Sequence, residues 1–182
     1  MTIEPVNRSA AAAEFCYECG VAAPIVGAFP TCPEHGPRWK LRRNAPCADV
    51  AIERADQLLM VRRALEPYAG CWEWPGGYMD LGETPAEAAR REIREELGVE
   101  VRLTAVLGVY GDPWPNGDHV QVHTFVGEID EAPRLDPTEL LEFRWFDRDD
   151  LPKGDALEHY YAERLEAWRS GVRAPLLPGL GA

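Results

Sequence analysis

The chain has 182 residues, 46% hydrophobic and 27% charged, which is enough for one well-buried domain with a small appendage and too little for two full domains. Its formal charge is −12; residues 1–43 carry five basic and four acidic side chains, so the remainder, with 14 basic against 27 acidic, stands near −13. Nucleic-acid binding is driven chiefly by Lys and Arg neutralising phosphates, so this balance excludes long DNA or RNA as the expected partner, although metal ions could still bridge the chain to phosphates.

Residues 1–14 read as a flexible N-terminus without the basic start and long apolar centre of a secretory signal. The longest apolar runs, such as 101–110, fall far short of the roughly 18 residues that span a bilayer. The expectation is therefore a cytoplasmic chain with no membrane partner. The five cysteines, Cys16, Cys19, Cys32, Cys47 and Cys71, are odd in number, which argues against a disulfide framework. Cys16-x-x-Cys19 and Cys32-x-x-His35 form two knuckles, each followed by a glycine (Gly20, Gly36) that lets the backbone fold tightly behind the ligands. The spacing predicts a structural Zn²⁺ held by Cys16, Cys19, Cys32 and His35, in a ribbon and linker over residues 15–43, with the coordination shell closed to catalysis. Free thiols, a Cys16–Cys19 redox pair, or Cys47 in place of His35 are the alternatives.

Two β-type runs, 48–54 and 57–63, separated by Ala55-Asp56, read as a hairpin. Trp72-Glu73-Trp74-Pro75-Gly76-Gly77 then breaks the pattern with a loop whose backbone can approach a ligand closely. A helix follows with clear punctuation: Thr84 and Glu87 form a capping box, Pro85 suits the first position and Gly98 the stop. Ala86, Ala89, Ile93 and Leu97 make its core-facing stripe, while Glu92, Glu95 and Glu96 share a neighbouring face. Two like charges about 6 Å apart repel by roughly 3 kcal/mol at an effective dielectric near 20, so a cation should compensate. Carboxylate oxygens are hard ligands suited to Mg²⁺ or Mn²⁺, ions that bridge protein carboxylates to substrate phosphates. The competing reading is a solvated acidic face paired with Arg90, Arg91 and Arg94. At the end of the chain, residues 155–170 read as an amphipathic helix with Leu157, Tyr161, Leu165 and Trp168 on one face, packed on the domain or on a second copy in a homodimer. Residues 173–182 read as a tail.

The run Gly77-x5-Glu83-x7-Arg91-Glu92-Ile93-x-Glu95-Glu96-x-Gly98-Val99 matches every position of the signature GX5EX7REUXEEXGU, with U apolar, and so resembles the Nudix hydrolase family. The resemblance extends from about Ala45 to Pro152. It implies an α/β fold, the Nudix α/β/α sandwich with a mixed sheet, here over residues 44–172 and preceded by the small zinc ribbon, as in some members. It also implies hydrolysis of a nucleoside diphosphate linked to another moiety, by water attack on phosphorus with divalent ions. Carried over by position, Glu92, Glu95 and Glu96 become metal ligands, joined by the carbonyl of Gly76, and Glu83 with Arg91 a buried structural pair. The base is drawn from Glu96, Glu139 or Glu142, with Glu139 favoured because the 137–139 loop could bring it within reach of the water.

Specificity is expected from the loop 110–119 and from aromatics that could stack on a base or ribose, giving Trp74, Tyr110, Trp114 and Asp118 as substrate contacts, although each aromatic alone is more often core. Pro115 lies where many ADP-ribose-cleaving relatives have a proline, so ADP-ribose or an ADP-sugar is the leading substrate; the Ser-Gln-Pro-Trp motif of NADH-cleaving relatives is missing. NADH, damaged nucleoside triphosphates, or a non-catalytic nucleotide-sensing role are the alternatives, and removal of diphosphate from RNA ends is opposed by the charge.

Overall fold

The computed structural model describes residues 14–16, 18–26, 29–37, 44–113, 119–157 and 161–176. The chain divides into two compact units, Met1–Arg43 and Asn44–Ala182.

The first unit is built from short strands: β1 (Glu14–Phe15) pairs with β2 (Ala22–Ala23), and β3 (Ile25–Val26), β4 (Phe29–Cys32) and β5 (Gly36–Pro37) pair in that order. Each knuckle ends in a left-handed glycine, Gly20 at φ 71° and Gly36 at φ 75°, as the ligand spacing required. The Gly20 N–H returns to the Cys16 carbonyl at 2.8 Å, closing the first knuckle.

The second unit is a mixed sheet. Its strands are β6 (Ala45–Arg54), β7 (Gln57–Arg63), β8 (Trp72–Glu73), β9 (Gly76–Tyr78), β10 (Arg102–Pro113), β11 (His119–Glu128), β12 (Leu140–Asp147) and β13 (Ala174–Pro175). They run in the order β12-β7-β6-β11-β10-β13, with β8 on β7 and β9 on β6, and the β6–β11 pair is parallel. β6 and β7 form the expected hairpin, with Arg54 opposite Gln57. Their centres are continuously apolar because both faces are covered. Val50, Ile52, Leu59 and Val61 point to one core with α1 (Pro85–Leu97), whereas Ala51, Leu58 and Met60 point to another with α2 (Tyr161–Ser170). Period-two alternation thus places a helix on each face of the sheet, the expected three-layer sandwich.

α1 begins as its sequence dictates: the Thr84 hydroxyl accepts from the Glu87 N–H at 3.3 Å, the Glu87 carboxylate accepts from the Thr84 N–H at 2.8 Å, and Gly98 ends the helix at φ 62°. The next chain segment satisfies its last carbonyls, since Arg134 N–H donates to Leu97 O at 2.7 Å and Asp136 N–H to Glu96 O at 2.9 Å.

Two expectations at the C-terminal end need correction. The described helix starts at Tyr161, not residue 155, because Leu157 is extended and bridges Trp72 after a short 3₁₀ turn (Gly154–Ala156). Leu157, Tyr161, Leu165 and Trp168 are nevertheless all buried in one cluster. Part of the supposed tail is strand β13, pairing Ala174 with Val106 and covering an otherwise open edge of β10. Among the described residues no helix is long and apolar enough to cross a membrane.

Candidate active site and metal centres

The second unit contains a cleft of about 420 Å³ whose walls come from β6, β7, β9, the carboxylate face of α1, the approach to β12, and α2. Glu92 and Glu96 are four residues apart on α1 and turn inward, at 9% and 6% exposure, while Glu95 stays outside on the rim. Glycine makes this burial possible. A Cβ at Gly77 would meet the Glu92 carboxyl at 2.7 Å, and one at Gly76, whose φ is 151°, would meet the Ala48 carbonyl at 2.3 Å. The Gly76 N–H donates to Glu96 Oε2 at 2.9 Å, which ties loop and helix together.

Glu139 joins the two glutamates because its loop is anchored at both sides. Asp136 accepts from the Thr138 N–H and hydroxyl at 2.8 and 2.6 Å, its own N–H binds the end of α1, and Glu139 O accepts from the Ala64 N–H at 2.8 Å. Glu139 lines the cleft. Glu142, the other expected base, does not: it lies on the outer surface and accepts from Arg62 at 2.9 Å.

Eight carboxylates and three guanidiniums line the cleft, and the guanidiniums are engaged with carboxylates. Arg91 gives all five of its N–H groups to Glu83, Glu92, Glu95 and the Tyr78 carbonyl, at 2.8 to 3.0 Å. The Glu83–Arg91 pair therefore exists and fixes loop to helix, though at about one-fifth exposure it is half-buried rather than buried. Arg164, buried, lies between Asp49 and Asp112. Arg63 is held by Glu73. Negative charge is left in excess around Glu92, Glu96 and Glu139. Burial pushes the Glu96 carboxyl well above its ordinary pKa, with Glu92 and Glu139 adding to the rise against the pull of the Gly76 N–H and Arg63. Burial likewise raises Glu92, with Arg91 opposing and Glu95 and Glu139 reinforcing. Three hard carboxylates short of positive charge fit Mg²⁺ or Mn²⁺.

Of the expected substrate contacts, Trp74 lines the cleft but is 1% exposed and packs edge-on against Tyr161 at 5.4 Å. Tyr110 lies off the cleft wall, with the Arg164 guanidinium 5.4 Å from its ring. Trp114 and Asp118 lie outside the described residues. Sequence reading missed Asp49, Arg63, Glu73, Asp112 and Arg164, single residues on different elements that only the tertiary fold brings together.

In the first unit, Cys16, Cys19, Cys32 and His35 offer four ligand atoms within 4.8 Å of one another. Cys19 and Cys32 Sγ are 3.7 Å apart, and His35 Nδ1 is 3.5 Å from Cys32 Sγ and 3.7 Å from Cys16 Sγ. A tetrahedron with bonds of about 2.0 to 2.3 Å has edges of about 3.5 to 3.8 Å, so the four donors fit one Zn²⁺ without Cys47. Burial pushes the Cys16 thiol up, but the Glu18 and Cys19 amides outweigh it and bring it down to about 6, toward the thiolate that metals bind.

The raised glutamates set a pH signature for the metal-free chain. Their folded-state pKa values exceed the unfolded value of about 4.3, so their contribution to stability is complete below that pH and is lost as pH rises through the folded values. Denaturant unfolding of chelated protein should therefore show Glu96→Gln gaining on wild type as pH rises from acid to neutral; a gap that does not change with pH would refute the assignment.

A family model described as the NUDIX domain matches residues 43–165. An ADP-ribose pyrophosphatase of Methanocaldococcus jannaschii is 35% identical over 111 residues, 60% of this chain and 65% of that protein. The NAD-capped RNA hydrolase NudC of Pseudomonas syringae pv. tomato is 30% identical over 169 residues, 91% of this chain and 60% of that protein. The chain thus spans under two-thirds of the length of these curated relatives. Among solved structures, a MutT NUDIX hydrolase from Burkholderia pseudomallei superposes with a TM-score of 0.64 at 32% identity, covering 69% of this chain and 98% of that one. With a family match over about two-thirds of its length and the complete signature folded around one acidic cleft, the chain belongs to the Nudix family.

Proposed function

We propose that this protein hydrolyses the diphosphate linkage of a nucleoside diphosphate derivative, with ADP-ribose or an ADP-sugar as the leading substrate class. The observation that carries the reading is the excess of negative charge at Glu92, Glu96 and Glu139, only partly offset by Arg91 and the Gly76 N–H, in a cleft of about 420 Å³. Glu92 and Glu96 would hold Mg²⁺ or Mn²⁺, with Glu95 and the Gly76 carbonyl as further donors. Bound divalent ions supply neutralisation of phosphate oxygens, polarisation of phosphorus and a lowered pKa for the attacking water. Glu139 takes the proton of that water. Glu83 and Arg91 keep the loop on the helix, and the buried Asp49–Arg164–Asp112 network holds α2 against the sheet.

One observation favours a second reading, cleavage of NADH or a related dinucleotide. The NudC similarity runs through 91% of the chain, whereas that to the ADP-ribose pyrophosphatase covers 60%. Against it, Gly111-Asp112 stands where the NADH-cleaving motif has Ser-Gln, before a retained Pro113-Trp114, and the formal charge of −12 disfavours a long RNA attached to the dinucleotide.

Hydrolysis of ADP-ribose, ADP-sugars, NADH and oxidised nucleoside triphosphates, compared with Mg²⁺ and with Mn²⁺, tests the proposal. Glu96→Gln should lower turnover by orders of magnitude and Glu139→Gln by roughly 10²- to 10⁴-fold, the range for a lost general base, whereas Glu142→Gln should stay close to wild type. A larger loss at position 142 than at 139 would move the base, and no metal-dependent release of a mononucleotide from any of these compounds would reject the activity.

The Cys16, Cys19, Cys32 and His35 cluster is proposed to hold one structural Zn²⁺. Elemental analysis should find about one equivalent in the wild type, and Cys16→Ser should lose it and disorder the first unit, since such sites contribute roughly 10 to 16 kcal/mol of apparent folding free energy in small peptides. Less than about half an equivalent from zinc-replete, chelator-free protein would overturn the assignment.

A further inference from the structure

Glu139 differs from the other two acids of the cleft in how its position is fixed. Glu92 and Glu96 are carried by a helix and packed inward past Gly77 and Gly76, whereas Glu139 is exposed, stands in a turn, and among the described residues has no hydrogen bond or ion pair on its carboxylate. Its reach into the cleft therefore depends on the backbone beneath it. A group that moves a proton must stand within about 2.6 to 3.2 Å of it, so a loop that drifts by about 1 Å changes the rate.

One residue holds that backbone from three sides. Asp136 donates its N–H to the Glu96 carbonyl at 2.9 Å, which fixes it to the last turn of the helix that carries the metal-binding acids. Its own carbonyl accepts from the N–H groups of Glu139 and Leu140 at 3.3 and 3.0 Å, closing the turn over residues 137–139. Its Oδ1 accepts from the N–H and the hydroxyl of Thr138 at 2.8 and 2.6 Å. Asp136-Pro137-Thr138 suits this shape, because an aspartate can cap the backbone two residues on and a proline presets φ at the second position of a turn. The Thr138 hydroxyl, with the Thr138 amide, holds the Asp136 carboxyl below its ordinary pKa, so at neutral pH these bonds are of the stronger, charge-assisted kind. Glu139 is thereby kept close enough to Glu92 and Glu96 to raise both of their carboxyls.

We infer that Asp136 is a positioning residue for turnover, which holds Glu139 at a fixed distance from the metal-binding face of α1 through its turn with Thr138. Resting on the role proposed above for Glu139, this makes the rate depend on a side chain that does not line the cleft and stands outside the family signature.

Steady-state hydrolysis by the full chain with Mn²⁺, of whichever compound in the panel above the wild type cleaves fastest, is the measurement. Asp136→Ala should lower kcat by about 10- to 100-fold, the scale of a misplacement near 1 Å, and leave KM and the Mn²⁺ affinity measured without nucleotide close to wild type. Asp136→Asn keeps a side-chain acceptor for Thr138 and should recover most of the lost turnover. Thr138→Val, which removes only the hydroxyl bond, should give a smaller loss of the same kind and serves in place of Asp136→Ala if that variant does not fold. In the Glu139→Gln background neither substitution should lower kcat by more than about twofold further, because each acts through the carboxylate already removed. Losses that multiply in the double variants, Asp136→Asn as slow as Asp136→Ala, unchanged turnover in Asp136→Ala and Thr138→Val, or a matching fall in Mn²⁺ affinity would overturn the inference. Wild-type turnover in Glu139→Gln alone would instead overturn the base assignment on which it rests.

Discussion

Glu92 and Glu96 lie four residues apart on one helix, both nearly buried, and Glu139 reaches the same cleft from the far side. Like charges at such spacing repel by roughly 3 kcal/mol per pair at an effective dielectric near 20, and burial adds a desolvation cost. The fold nevertheless holds them together. It does so by closing other interactions around them: Arg91 pins the loop and the rim of the helix, the Gly76 N–H pins Glu96, and Asp136 pins the chain that leads to Glu139. Such a cluster is unfavourable without a cation and suited to one, which ties the local strain in charge to the chemistry proposed for the site.

The two faces of the sheet divide the work. On the α1 side, small residues, Ala86, Ala88 and Ala89, let the helix lie close over β6 and β9, so that its glutamates reach the cleft past Gly76 and Gly77. On the α2 side, Trp74, Tyr161 and Trp168 fill a separate core, and Arg164 carries its charge to Asp49 and Asp112. Removing Arg164 would leave buried carboxylates without their partner, a change that typically costs about 3 to 5 kcal/mol, so this network reads as structural support for one end of the cleft.

Features written in contiguous residues could be read before the fold was known. The capping box at Thr84, the alanine and leucine stripe of α1, the knuckle spacing of the cysteines and the β6–β7 hairpin each follow from local sequence pattern, and each has its counterpart in the structure. Glu139 and Glu142 are two acids in one short segment, and local sequence does not separate them. What separates them in space is a backbone bond to Ala64 and an ion pair with Arg62, neither visible in one dimension. Asp49, Arg63, Glu73, Asp112 and Arg164 carry no local signal as a group because they come from five different elements and meet only in the fold. Of the aromatics, Trp74 lines the cleft, whereas Tyr110 lies behind its wall with the Arg164 guanidinium 5.4 Å from its ring.

The proposed chemistry requires the carboxylates of α1 to draw a cation into the cleft. Thermal unfolding of the zinc-replete full chain, with rising Mn²⁺ and no nucleotide, measures this directly, because a ligand of the folded state raises the midpoint by mass action. The midpoint of the wild type should climb with Mn²⁺ concentration, and that of Glu96→Gln should climb much less. An equal climb in both proteins, or none in the wild type, would contradict the account.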